Sequence, residues 1–304
     1  MSLLDPKLDL VFKLLLTREP TLLRDMLEGV LGRPVRDLAI LNPDLPGELA
    51  ADKAIALDVR AVLDDGSRAD VEMQMRTRAE LAERLIYYLT RDYGGQLRRG
   101  DGYHLLTPSI GVVWLAEPLI PTLQSLHAIF ELRERHTHTR LSDHLAIHLI
   151  QLSRLSPSSA TGYTATVERW ARFLVARTPA ELDQLASEHP VMSTAKHTLE
   201  QLSQDPEARR LAREREDSIK LYNMSLAASE ARGEARGEAR GEARGEARGV
   251  TKGKAEVLIK LLALRFGPLA EPARARIELA EPQELDRWTE RVLTASTLEE
   301  VLAP

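Results

Sequence analysis

Between Leu57 and Met75 the chain sets Asp58, Asp70, Glu72 and Gln74 among alternating apolar residues. Asp65-Gly66 divides the stretch, and an Asp-Gly pair between two such runs signals a hairpin, because glycine accepts the positive φ of the turn. In the second strand Val71, Met73 and Met75 point to one face, and Asp70, Glu72 and Gln74 to the other. Residues directly opposite on antiparallel strands hold their Cβ atoms about 5 Å apart, so Asp58 and Glu72 can meet, subject to register. Two carboxylates at one place repel, and a cation relieves that cost. Mg²⁺ takes a few protein oxygens and keeps water and substrate phosphate around it. The Met73 carbonyl offers a third oxygen, and Gln74 could orient an attacking water. That chemistry would be metal-assisted phosphodiester hydrolysis. A plain half-buried strand shows the same alternation, so the residues alone leave both readings open. Asp70 shares the face of Glu72 and reads as peripheral.

The hairpin, at about 53–75, needs elements to hold it. Asp5-Pro6 opens a helix with a capping side chain and proline in its first turn. Leu8, Val11, Phe12, Leu15 and Leu16 form its apolar stripe, and Asp9 and Lys13 lie four apart in the stabilising acid-then-base order. A second helix runs over about 21–31 and stops at Gly32. Residues 42–50, with two prolines and a glycine, read as loop. After the hairpin a long helix covers about 77–99, with Leu81, Leu85, Tyr88 and Leu89 on its buried side, closed by Gly100 and Gly102. Tyr88 and Tyr103 read as core. Residues 109–116 form a continuous apolar run suited to a buried central strand. Two more strands are expected at about 125–132 and 144–152. The fold class is α/β over residues 1–155, followed by an all-helical C-terminal region.

Residues 153–166, rich in Ser, Pro, Gly and Thr, read as a linker. A helical region, 156–229, follows, with Trp170 and Phe173 in a small core. Residues 230–249 are five tandem copies of Glu-Ala-Arg-Gly. In a helix each residue sits beside its own copy at i,i+4, so like charges adjoin, and each glycine costs about 1 kcal/mol relative to alanine. The glycines at 233, 237, 241, 245, 249 and 253 also form a slowly winding ridge that permits close helix approach. Residues 230–252 are therefore either a fraying helical linker or a homo-oligomerising helix. Residues 253–304 form a small helical domain, with a stop at Arg265-Phe266-Gly267-Pro268 between its first two helices.

Composition narrows the classes. The 304 residues are 43% hydrophobic and contain no cysteine, which excludes disulfides, zinc–thiolate sites and cysteine nucleophiles. No apolar run is long enough to span a membrane, and Asp5, Lys7, Asp9 and Lys13 interrupt any leader-like stretch. A soluble cytoplasmic protein with no membrane partner is expected. The net charge of −5 does not itself suggest nucleic acid. Residues 76–99, however, carry arginines 76, 78, 84, 91, 98 and 99 against Glu80, Glu83 and Asp92, a local excess that suits phosphate contact or a solvated helix face. No phosphate-binding loop and no G-x-S-x-G elbow is present. His144 and His148 lack a third metal ligand; His136 and His138 read as solvated, and His104 as structural.

An ordered series of residues resembles the Rpn branch (recombination-promoting nucleases, a transposase-like group) of the PD-(D/E)XK nuclease superfamily. It begins at Asp5-Pro-Lys-Leu-Asp-Leu-Val-Phe-Lys13 and continues through Leu57-Asp58-Val59 and Val71-Glu72-Met73-Gln74. It then takes in Arg84, Tyr87-Tyr88, Tyr93, Gln96-Leu97, Gly100, Tyr103 and Pro108. Residues 254–304 resemble a small helical domain that often ends such proteins. The resemblance implies a restriction-endonuclease-like mixed sheet flanked by helices and a divalent-metal site. Asp58 is then the motif aspartate, Glu72 the motif glutamate, and Asp9 the acidic residue of the first helix. Gln74 stands where the superfamily has lysine; it can bond water but brings no positive charge, for which Lys53 or Lys13 could compensate. The implied activity is Mg²⁺- or Mn²⁺-dependent DNA endonuclease. Asp58, Glu72, Gln74 and Asp9 would be catalytic, with metal on Asp58, Glu72 and the Met73 carbonyl. DNA contacts would come from Lys13, Lys53, Arg76, Arg84, Tyr93 and Gln96. The alternative is a weak or inactive nuclease-like DNA-binding or scaffold protein.

Overall fold

The computed structural model describes residues 3–41, 59–77, 80–156 and 160–303. The chain divides into two compact units, Met1–Tyr222 and Asn223–Pro304.

The first unit opens on α1 (Asp9–Arg18) and α2 (Pro20–Leu31). The expected start at Asp5-Pro6 is instead a turn: the Asp5 carboxylate accepts from the Lys7 N–H at 2.9 Å, and the Asp5 carbonyl from that of Leu8 at 3.0 Å. Gly32 ends α2 at φ 66°. Six strands form one sheet among the described residues: β1 (Leu38–Ile40), β2 (Val59–Leu63), β3 (Arg68–Gln74), β4 (Ser109–Leu115), β5 (His127–Glu131) and β6 (Leu145–Gln151). Their order is β1-β2-β3-β4-β6-β5. The pairs β3–β4 and β4–β6 are parallel and the rest antiparallel, which makes the sheet mixed. Parallel neighbours need a crossover, and α3 (Leu81–Gly94) provides it between β3 and β4. This helix is shorter than the expected 77–99.

The β2–β3 hairpin forms as its sequence directs. Gly66 takes φ 83°, and the Leu63 N–H bonds the Ser67 carbonyl at 2.9 Å. Alternation then separates the faces. Val59, Ala61, Ala69, Val71 and Met73 join Ile110, Val112 and Trp114 in the main core beneath α1 and α2. Val113, Leu115 and Leu149 meet Leu81 and Leu85 of α3 on the opposite face.

The helices α4 (Gly162–Val175), α5 (Pro179–Glu188) and α6 (Pro190–Gln204) follow. The expected boundary near residue 155 does not divide the core. Trp170, Phe173, Leu199 and Ala212 are buried in the same cluster as the sheet, because α1 and α2 have apolar residues on more than one side and need covering from both. Trp170 donates its indole N–H to Asp25 Oδ2 at 2.8 Å, which satisfies the polar end of a buried ring. Helices α2 and α4 approach closely at Gly29. A Cβ there would lie 2.7 Å from Thr166 Cγ2 and 3.3 Å from the Val167 nitrogen.

At the β5–β6 edge, His127 Nε2 and His148 Nδ1 lie 2.9 Å apart. Burial pushes both down to about 4, from an ordinary 6.5. The neighbouring His127 charge also disfavours a proton on His148, whereas Glu131 opposes this. An unfolded chain binds these protons near pH 6.5 and the folded chain does not. Stability is therefore highest above about pH 6.5 and falls as the pH drops towards about 4. Urea denaturation at a series of pH values should show this decline, and His148→Asn should flatten it; equal slopes in both proteins would count against the buried neutral pair.

Helix α7 spans Pro206–Phe266, with α8 (Glu271–Glu278), α9 (Pro282–Arg291) and α10 (Leu298–Val301) after it. The expected helices at 206–228 and 254–266 are thus parts of one, and the Glu-Ala-Arg-Gly repeat is helical. Residues 224–250 are exposed, and nothing lies within 4 Å of a Cβ placed on the repeat's glycines. In the second unit, Leu258 and Leu262 pack with Ile277, Leu285, Trp288 and Val301. Among the described residues no helix is long and apolar enough to cross a membrane.

Candidate active site

Strand β3 is central, and its outer-face residues alternate into a space roofed by α3. Glu72 is only 8% exposed there. Its Oε2 accepts from Gln74 Nε2 at 2.9 Å, and Arg84 Nη2 of α3 lies 4.0 Å from the same oxygen. A two-residue offset puts Glu72 and Gln74 on one side of the strand, which is why their side chains meet. The site therefore joins a carboxylate, an amide that orients it and a cation.

A cavity of about 530 Å³ lies between this face of the sheet and α3. Glu72 and Asp70 both line it, with Arg60, Arg68, Tyr88, Asp92 and Gly111. Asp70 is thus not peripheral. It stands directly opposite Arg60 across β2–β3 and beside Gly111 of β4.

Asp58 and Lys53 lie outside the described residues. Among those described, no group of three His, Asp or Glu converges as a ready metal cage. The donor set still suits a hard cation. Asp70 and Glu72 bring carboxylate oxygens to one cavity, and Mg²⁺ binds through one or two carboxylates plus water and phosphate.

The remaining expected site residues separate. Asp9 is held by Arg215 of α7, with Asp9 Oδ2 2.5 Å from Nη2 and 3.0 Å from Nε. Lys13 is 3% exposed on α1, so it does not meet a duplex at the surface as expected; an amphipathic helix buries the stripe on which it sits. Arg76 is exposed just beyond β3. Tyr93 is no free groove residue: its hydroxyl is 2.8 Å from His144 Nδ1. Gln96 is corrected likewise. Its amide donates to the Thr107 carbonyl and Ser109 Oγ, each at 3.0 Å, and accepts from the Thr107 N–H at 2.9 Å. It ties the end of α3 to the start of β4. Tyr88 and Tyr103, expected in the core, are 41% and 84% exposed. Tyr88 lines the cavity and lies edge-on to the ring of Tyr87, with centroids 5.6 Å apart.

Sequence reasoning missed Arg60, Arg68 and Asp92. The signal was present in the hairpin: period-two alternation puts Arg68 on the face of Asp70 and Glu72, and the turn's register brings Arg60 beside them.

A family model described as "PD-(D/E)XK nuclease family transposase" matches residues 6–228 of the 304. The chain belongs to this family. No curated protein and no solved structure matches it. The mixed six-stranded sheet with flanking helices is the restriction-endonuclease-like fold, and membership supports a nuclease-like function. Arg84 is the cation brought nearest to the Glu72 carboxylate in the described residues.

Proposed function

We propose that the protein is a metal-dependent endonuclease that hydrolyses DNA phosphodiesters in the cavity between β2–β4 and α3. The observation that carries this reading is the buried Glu72 carboxylate, oriented by Gln74 and faced by Arg84, in a chain of the nuclease family. Asp58, Glu72 and the Met73 carbonyl would hold Mg²⁺ or Mn²⁺, with Asp70 available in the same cavity. The bound ion would supply Lewis acidity and a lower pKa for water. Gln74 holds Glu72 through its amide N–H, and its oxygen can accept from the attacking water. Arg84 supplies the positive charge that a glutamine lacks, next to the phosphate as negative charge builds there. Lys13 is buried on α1, and Lys53 lies outside the described residues. Arg76, exposed past β3, would contact the DNA backbone, and such contacts give salt-sensitive binding with little base readout.

A second reading, a weak or inactive DNA-binding or scaffold protein, is favoured by Gln74 in the lysine position and by the exposed repeat of α7. Nicking of supercoiled plasmid by the full chain separates the two. Conversion to open circles with Mg²⁺ or Mn²⁺, blocked by chelator, is expected. Activity that persists unchanged in Asp58→Ala and Glu72→Ala would exclude this site, and DNA binding without nicking would favour the second reading.

A further inference from the structure

Two arginines in the cavity have no part in the chemistry above. Arg60 on β2 and Arg68 on β3 share the face of Asp70 and Glu72, since Arg60 is opposite Asp70 and Arg68 precedes it by two residues. Both line the cavity. One α3 carboxylate orients both guanidiniums: Asp92 Oδ1 is 2.6 Å from Arg60 Nη2 and 3.5 Å from Arg68 Nη1. Asp92 is itself fixed, because its Oδ2 accepts from Ser109 Oγ at 2.7 Å. A guanidinium has five N–H donors in a rigid fork, so the shared Asp92 oxygen orients each group through one of several donors. The two side chains keep 42% and 35% of their surface exposed.

Charge is therefore divided along the cavity. Glu72 is at one end, and Asp70 lies midway, directly opposite Arg60. At the other end, Arg68 is drawn to Asp92. From Arg68 to Glu72 is about 13 Å along the strand at 3.3 Å per residue, which is farther than one phosphate reaches. Between the ends, opposite Asp70, β4 has Gly111. A Cβ there would meet only Ile147 Cγ1, at 3.9 Å; the position has room for a side chain and has none, which keeps the floor open between the ends.

We propose that Arg60 and Arg68, preset by Asp92, clamp a backbone phosphate of the bound strand next to the scissile one. The inference rests on the nuclease reading and adds the residues that place the strand. Arginine forks fit phosphate oxygens in pairs, and a preset fork loses less freedom on binding.

The test measures fluorescence anisotropy of a labelled DNA duplex with the full chain, in Ca²⁺ and over a series of KCl concentrations. Arg68→Gln should weaken binding about tenfold and reduce the slope of log K against log[KCl] by about 1. Arg60→Gln carries the same expectation should Arg68→Gln not fold. Arg135→Gln, which removes an exposed arginine elsewhere in the unit, should change neither. Arg68→Lys should keep the slope but raise the KM for nicking with kcat unchanged, a split that a merely structural tie would not produce. A wild-type chain that binds and nicks DNA while Arg68→Gln keeps its slope, or Arg135→Gln matching Arg68→Gln, overturns the clamp alone. A wild-type chain that neither binds nor nicks DNA overturns the nuclease reading and the clamp with it.

Discussion

Glu72→Gln is expected to lower Mg²⁺-supported plasmid nicking by about a thousandfold, which corresponds to about 4 kcal/mol of transition-state stabilisation. Glutamine keeps the volume of the side chain and loses its charge. A hard cation held by few protein oxygens depends on that charge, and the surrounding groups cannot replace it: Gln74 presents an N–H to the carboxylate, and Arg84 is positive. Two donors that suit a carboxylate would then face a neutral amide. Folding should suffer much less. Glu72 is 8% exposed, and removing a buried charge relieves a desolvation cost that partly offsets the lost hydrogen bond. Nicking rates and thermal melts of the same preparations check this. A large loss of rate with a nearly unchanged melt is the expected pair of results; retained nicking would remove Glu72 from the chemistry.

Arg215→Ala is expected to destabilise the Met1–Tyr222 unit by about 3 kcal/mol, the lower end of what breaking a buried ion pair costs. Arg215 is 8% exposed and holds Asp9 through Nε and Nη2. Its removal leaves the carboxylate with the Leu10 N–H at 2.8 Å and the N-terminus of α1. These interactions favour a negative charge and soften the loss. Asp9→Ala removes the carboxylate that faces the buried guanidinium and should cost a similar amount. The double variant should cost less than the sum, and the difference is the coupling of the pair. Urea denaturation of the four proteins gives the cycle. The same proteins also decide whether Asp9 assists catalysis. A structural Asp9 makes Asp9→Asn lower the melt and leave the nicking rate per folded molecule; a catalytic one does the reverse. The geometry favours the first outcome.

Much of this was legible in the chain because it depends on local rules. Alternation in Ala69–Gln74, the Asp65-Gly66 turn and the apolar run at Ser109–Leu115 each specify an element without knowledge of its partners. Gly32 closes α2 for the same reason, as only a residue at ease with positive φ fits there. Where element ends depend on neighbours, the expectation drifted. Helix α3 was expected to run to residue 99 and ends at Gly94, because Gln96 turns away from the helix to bond Thr107 and Ser109. The repeat of α7 looked marginal as an isolated helix, yet it continues a helix that is anchored at its start by Ala208 and Ala212 and at its end by Leu258 and Leu262.

The sequence by itself determined the hairpin, the pairing of Glu72 and Gln74 on one face of β3, and the family resemblance that residues 6–228 bear out. Those features follow from spacing, and spacing along a strand or helix fixes which side chains are neighbours. Only the tertiary structure decided which charges share a space. It took Asp9 to Arg215, more than 200 residues away in the chain, and Gln96 and Tyr93 into internal bonds. It brought Arg84 to Glu72 and gathered Arg60 and Arg68 on Asp92. No local rule encodes such meetings. They arise where α3 crosses from β3 to β4 and lies over the sheet, so that residues from five elements face one cavity, and the hairpin becomes one wall of a site.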